Sequence, residues 1–146
     1  MNKELVEKLF AKSGCIAFSP ATKAYIARAQ TQLKEMNFAA LPDDFLDFLS
    51  YCDGCYYDGL EMFGTKPHPR HKKQYTFRNL SEENRDFCDY TFFIGKLIIG
   101  RMSEHLLVYD GQNKIYAVLD RVNLCSMVES SDFDGLISTI LQFCED

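Results

Sequence analysis

The spacing of apolar residues changes once, at Gly54, and that change constrains the fold more than any other feature of the chain. Before it the period is near 3.6. Leu5, Leu9 and Phe10 recur at i, i+4 and i+5, with Gly14 as a C-terminal stop, which predicts a short amphipathic helix. Ser19-Pro20 reads as an N-cap and first helical position, and Tyr25, Ala29, Leu33 and Met36 form one stripe, so a second helix is expected to about Asn37. Leu41-Pro42-Asp43-Asp44 opens a third helix, because two carboxylates complement the positive end of the helix dipole. Phe45, Phe48, Leu49 and Cys52 supply its buried side, and Asp53-Gly54 ends it with a left-handed cap.

After Gly54 the period falls towards 2, the signature of strands. Leu60–Phe63, Phe92–Ile94, Leu97–Met102, His105–Tyr109 and Lys114–Leu119 read as strands, with Asp110-Gly111 as a hairpin signal. Lys66–Arg78, with two prolines and many polar residues, reads as a loop, and Ser81 with Glu82 and Glu83 starts a brief fourth helix. Ser131 with Asp134 resembles a capping box ahead of a closing helix whose apolar face is Leu136, Ile137, Ile140, Leu141 and Cys144. Helices, then strands, then a helix predict an α+β protein: N-terminal helices, a central twisted antiparallel sheet and a closing C-terminal helix. The 146 residues suit one domain spanning 1–146, without repeat or linker, and 47% hydrophobic with 25% charged residues is globular composition.

Met1-Asn2-Lys3-Glu4-Leu5 lacks the cationic start and apolar run of a secretory peptide, and the apolar stretch Tyr90–Gly100 is too short for a membrane span, so a cytoplasmic protein is expected. Six cysteines are too sparse for a disulfide framework and are expected as reduced, mostly buried thiols.

Cys52, Cys55, His68 and His71 nearly meet the spacing of a zinc site, but Pro67 and Pro69 keep the histidines off a helix, and the expectation is no metal and no cofactor. Cys52 and Cys55 could also be read as a redox pair. They stand at a predicted helix C-terminus, whose partial negative charge disfavours a thiolate. Neither a serine elbow, a Gly-rich phosphate loop nor a helical His-Glu motif is present, and Asp43 and Asp44 are better explained by the helix dipole than as an acid/base couple, so no catalytic residue is assigned.

Charge is unevenly distributed on a chain of net −5. Between Lys34 and Lys66 lie Glu35, Asp43, Asp44, Asp47, Asp53, Asp58 and Glu61 with no base; Lys66–Arg78 holds five bases and no acid; after Arg121 come only acids. An acidic face that attracts a basic protein is the functional reading, and the net charge disfavours nucleic acid.

The run Leu41-Pro42-Asp43-Asp44-Phe45-Leu46-Asp47-Phe48-Leu49, closed by Cys52-Asp53-Gly54 and followed by Leu60-Glu61-Met62-Phe63-Gly64, resembles the signature of the SUKH superfamily, the Smi/Knr group of yeast cell-wall regulators and bacterial immunity proteins. Phe93-Ile94-Gly95, Leu107-Val108-Tyr109-Asp110, Lys114-Ile115-Tyr116-Ala117-Val118 and Ser131-Asp132-Phe133-Asp134-Gly135-Leu136 are similar to its later elements, so the likeness spans Ser19–Cys144. Asp53 stands where that family usually has Asn, and the basic loop Lys66–Arg78 has no counterpart. The resemblance implies a non-catalytic binding protein that neutralises a cognate toxin, often a nuclease, by direct contact; the alternative is a regulatory adaptor for a signalling or cell-wall enzyme. With the acidic field as the attracting surface and Tyr56 and Tyr57 as aromatic anchors, the expected partner-binding residues are Asp43, Asp44, Asp47, Asp53, Tyr56, Tyr57, Asp58 and Glu61. Partner identity and oligomeric state are left open.

Overall fold

The change of period at Gly54 is the passage from helices to sheet. The computed structural model describes residues 1–69 and 76–144. Its helices α1 (Lys3–Phe10), α2 (Lys23–Glu35) and α3 (Asp43–Tyr51) come before Gly54, interrupted only by the two-residue strand β1 (Ile16–Ala17). Then follow β2 (Cys55–Tyr57), β3 (Leu60–Met62), β4 (His68–Pro69), β5 (Thr76–Phe77), α4 (Leu80–Arg85), a 3-10 turn (Thr91–Phe93), β6 (Lys96–Met102), β7 (His105–Asp110), β8 (Ile115–Asp120), β9 (Ser126–Ser130) and α5 (Phe133–Cys144). The fold is α+β. Seven strands pair antiparallel in the order β1-β2-β3-β6-β7-β8-β9, and β4 pairs with β5 in a separate ladder. None of the helices among the described residues is long and apolar enough to cross a membrane.

Local chemistry sets the element ends. Asn2 caps α1 by accepting the Glu4 N–H, Thr22 caps α2 through the Tyr25 N–H, and Asn79 and Glu82 form a reciprocal capping box on α4. Three starts differ from the sequence reading. Helix α2 begins after Thr22 rather than Ser19, because Phe18 to Ala21 is held extended: Phe18 N–H donates to the Gly54 carbonyl, Asp53 N–H to Ser19, and Ala21 N–H to Leu49. Asn79, not Ser81, caps α4. On α5 it is Asp132, not Ser131, that accepts a first-turn N–H, from Gly135 at 2.8 Å.

Phe92 and Phe93 belong to a 3-10 turn and Ile94 follows it, where a strand is expected from the sequence. Gly95 has φ +75°, which breaks extended backbone there, and only Phe93 of the three is buried. Strands β1, β2 and β9 escape the sequence reading because they are two, three and five residues long and carry little alternation. One usable signal was there: Asp58 (φ 43°) and Gly59 (φ 88°) form the two-residue turn joining β2 to β3. The loop after Asp110 is longer than a two-residue hairpin, since Asp110 pairs with Ile115 and its carboxylate accepts the N–H groups of Gln112 and Asn113.

Helices α3 and α5 bury Phe45, Phe48 and Phe133 against Tyr116 of β8, with ring centroids 5.2–5.8 Å apart. Each of these side chains contributes about 1.5–3 kcal/mol by leaving water, and the tilted contacts add to that. Beside β6 the sheet is completed by a side chain. The fully buried Asn84 amide accepts from Ile98 N–H at 2.8 Å and donates to the Ile98 carbonyl at 2.8 Å and the Leu80 carbonyl at 2.9 Å, occupying the place a neighbouring strand would take.

Candidate docking surface

Asp53 follows the end of α3, where Cys52 N–H still donates to Phe48, and precedes Gly54, whose φ of +91° lets the chain reverse into β2. The chain then returns past it. A Cβ on Gly64 would lie 2.2 Å from the Asp53 carbonyl oxygen, so only glycine permits this approach. The result brings donors around a fully buried carboxylate. Oδ1 accepts from Thr65 N–H at 2.7 Å and Thr65 Oγ1 at 2.8 Å; Oδ2 accepts from His68 Nε2 at 2.8 Å and Lys66 N–H at 3.3 Å. Burial alone would raise the Asp53 pKa, but the bonds from His68 and Thr65 outweigh it and hold the group below the ordinary carboxylate value. The His68 ring stacks on Phe18 with centroids 4.0 Å apart. Asp53 is therefore a framework hub and not part of an exposed acidic face, which corrects its place among the expected partner-binding residues.

Glu61 is likewise in the interior, 6% exposed, with Oε1 accepting from Arg101 Nη2 at 3.1 Å across the β3/β6 ladder. A buried acid paired with Arg cannot add to an attracting surface field. Tyr56 leans on Phe77, centroids 5.1 Å apart, and with Glu61, Arg101, Ser103 and Arg121 these rings line a shallow cavity of about 420 Å³. Tyr57 packs partly against the core, and Asp58 is exposed in the β2/β3 turn. These five residues are thus split from the helical acids.

Asp43, Asp44 and Asp47 lie elsewhere, at an end of the molecule where α1, α3 and α5 all begin. Asp44 Oδ2 accepts from Phe133 N–H, the first residue of α5, at 2.8 Å, and Asp44 Oδ1 accepts from the Tyr116 hydroxyl. Burial, then the Asp44 bond and charge, push the Tyr116 phenol well above its ordinary value. Asn2 N–H donates to Asp134 Oδ1 at 2.7 Å, and the N-terminal ammonium lies 3.8 Å from Asp47 Oδ2. Asp43, Asp47 and Asp132 remain exposed. Tyr109, half-buried on β7, has its pKa raised by burial and then by the negative charges of Asp44, Asp110 and Asp43. Like charges tolerate this proximity because three helix N-termini supply partial positive charge to the same place. Asp132 and Asp134 join Asp43 and Asp47 only through the fold, although the acidic character of the segment after Arg121 is legible in the sequence.

Cys52, Cys55 and His68 are used structurally. Burial pushes Cys52 up to about 12 and Cys55 well above its ordinary value, which suppresses the nucleophilic thiolate. Cys15 and Cys144 are half-buried and Cys88 and Cys125 exposed, so fewer thiols are buried than expected. His68 is committed to Asp53, His71 of the zinc-like spacing lies outside the described residues, and no group of three metal-ligating side chains converges among the described residues. Much of the basic loop, residues 70–75, also lies outside them. No family model matches this chain, and no curated protein matches it in sequence.

Proposed function

We propose that this chain is a non-catalytic protein-binding domain that neutralises a basic toxin domain, of the nuclease type, by direct contact in the cytoplasm. The observation that carries the reading is the gathering of Asp43, Asp47, Asp132 and Asp134 at the shared start of three helices. A nuclease surface is basic because it holds phosphate, and a rigid array of carboxylates mimics that phosphate. Tyr109 supplies an aromatic group within the acidic field, the kind of residue on which binding energy concentrates. The likeness of the Leu-Pro helix, the Asp-Gly turn and the Phe-Gly strand end to the SUKH immunity proteins supports the same reading. The commitment of Asp53, His68, Cys52 and Cys55 to the framework supports a role without bond-making chemistry.

The purified chain titrated against any toxin domain encoded near it tests this. Equimolar protection of the toxin's substrate is expected, with an association rate falling about tenfold or more between low and high salt. Absence of binding to, and of protection from, any neighbouring toxin overturns the reading.

A further inference from the structure

Beside the Asp53 hub the structure gathers positive charge on an acidic protein. A cavity of about 260 Å³ opens between α2, the segment after β3 and the start of α4. Among the described residues its charged lining is Arg28, Lys66 and Arg85 against the acid Glu82, three bases less one acid, or +2, on a chain of net −5. None of the three cations makes an ion pair with a described carboxylate. They come from three different segments, so neither helical spacing nor a local sequence run accounts for their convergence. Holding like charges together around a concavity costs repulsion that a bound anion relieves.

The walls are built rigidly. Ser81, 3% exposed, donates its hydroxyl to Gln32 Oε1 at 2.7 Å, fastening α4 to α2. Thr65, 7% exposed, is held by Asp53 through both N–H and hydroxyl, and the Lys66 N–H is tied to the same carboxylate. The Lys66 ammonium stands 5.5 Å from the centre of the Tyr25 ring, a cation–π contact that leaves its three donors available. Glu82 Oε1 is turned to the Asn79 N–H by the capping box, at 3.0 Å.

We infer that this cavity, walled by Arg28, Lys66 and Arg85, is a binding site for a small phosphate monoester. The charge decides against a carboxylate: a phosphate monoester carries about −1.5 to −2 near pH 7, matching the +2 of the lining, and its three oxygens suit two guanidinium forks and one ammonium. The size decides for an attached group. At about 30 Å³ per water the space holds roughly nine waters, more than a bare phosphate fills, yet it falls below the usual range for larger ligands. The site is independent of the proposed docking of a basic protein.

Calorimetric titration of the full chain at about 0.15 M salt with ribose 5-phosphate, inorganic phosphate and ribose tests the site. Ribose 5-phosphate is expected to bind with a Kd of about 1 mM or below and ribose not at all. Arg28→Gln and Arg85→Gln are each expected to weaken binding about tenfold or more while leaving the melting temperature unchanged, since both residues are exposed and neither forms an ion pair with a described carboxylate. Inorganic phosphate binding as tightly as ribose 5-phosphate, with the same arginine dependence, identifies the free ion as the source of the same chemistry. Silence with both phosphates, binding indifferent to the two substitutions, or tighter binding of a short single-stranded DNA through the same arginines overturns the inference.

Discussion

Asp53→Asn removes one charge and turns one carboxylate oxygen into a donor, at a position where every neighbour donates. Three of the four bonds to Asp53 are 2.8 Å or shorter, two from Thr65 and one from His68. A hydrogen bond to a charged group contributes about 1.5–3 kcal/mol and one between neutral groups about 0.5–1.5, so neutralising the acceptor costs about 1 kcal/mol for each short bond. Relief from burying a charge offsets part of that, leaving about 2–3 kcal/mol, or about 6–12 °C in melting temperature for a chain of this size. The pH dependence has a definite sign. Because the folded pKa lies below the ordinary 3.8, the contribution is fully present above that value and is lost as pH falls through the folded pKa. Thermal and urea unfolding followed by circular dichroism, from pH 7 down to pH 3, is the assay. The gap between wild type and variant should stay constant above about pH 5 and close below it. A variant melting within about 2 °C of wild type at pH 7, or a gap that widens in acid, would refute the account of Asp53 as a hub.

Asn84→Ala strands the Ile98 N–H and carbonyl inside the protein, and urea unfolding should show a loss of about 2–5 kcal/mol. Combining Asp43→Asn, Asp47→Asn and Asp132→Asn removes exposed charge from the three-helix end; stopped-flow association with a basic partner should slow and lose its salt dependence, while unfolding changes by about 1–2 kcal/mol. Alkylation followed by mass spectrometry at pH 7.5 should label Cys88 and Cys125 first and leave Cys52 and Cys55 unmodified until denaturant is added. Gly64→Ala, which sets a methyl against the Asp53 carbonyl, should destabilise more than Asn84→Ala, read in the same urea series.

Much of the fold is legible along the chain. The helices around Leu5, Ala29 and Phe48, the strands at Leu97–Met102 and His105–Tyr109 and the closing helix stand close to where apolar spacing puts them, because each buries a stripe or a face whose period is a local property. Ends were less legible. Ser19-Pro20 carries every mark of a helix start, yet its backbone bonds are taken by the end of α3, and a competing tertiary partner overrides the local signal. Strand β9, with Met127 and Glu129 exposed on an outer edge of the sheet, has too little buried surface to write alternation into its sequence.

The acidic residues divide more deeply. By itself the sequence determined that carboxylates are abundant between Lys34 and Lys66 and that Asp43 and Asp44 open a helix. Only the tertiary structure decided which of them meet solvent. Asp53 depends on donors 12 to 15 residues away and Asp44 on groups 72 and 89 residues away, while Asp43 and Asp132 receive no such donors among the described residues and Asp47 has only the N-terminal ammonium 3.8 Å away, so all three stay outside. The physical reason is that a carboxylate can leave water only where other segments bring hydrogen-bond donors to replace it, and which segments arrive is a property of the fold.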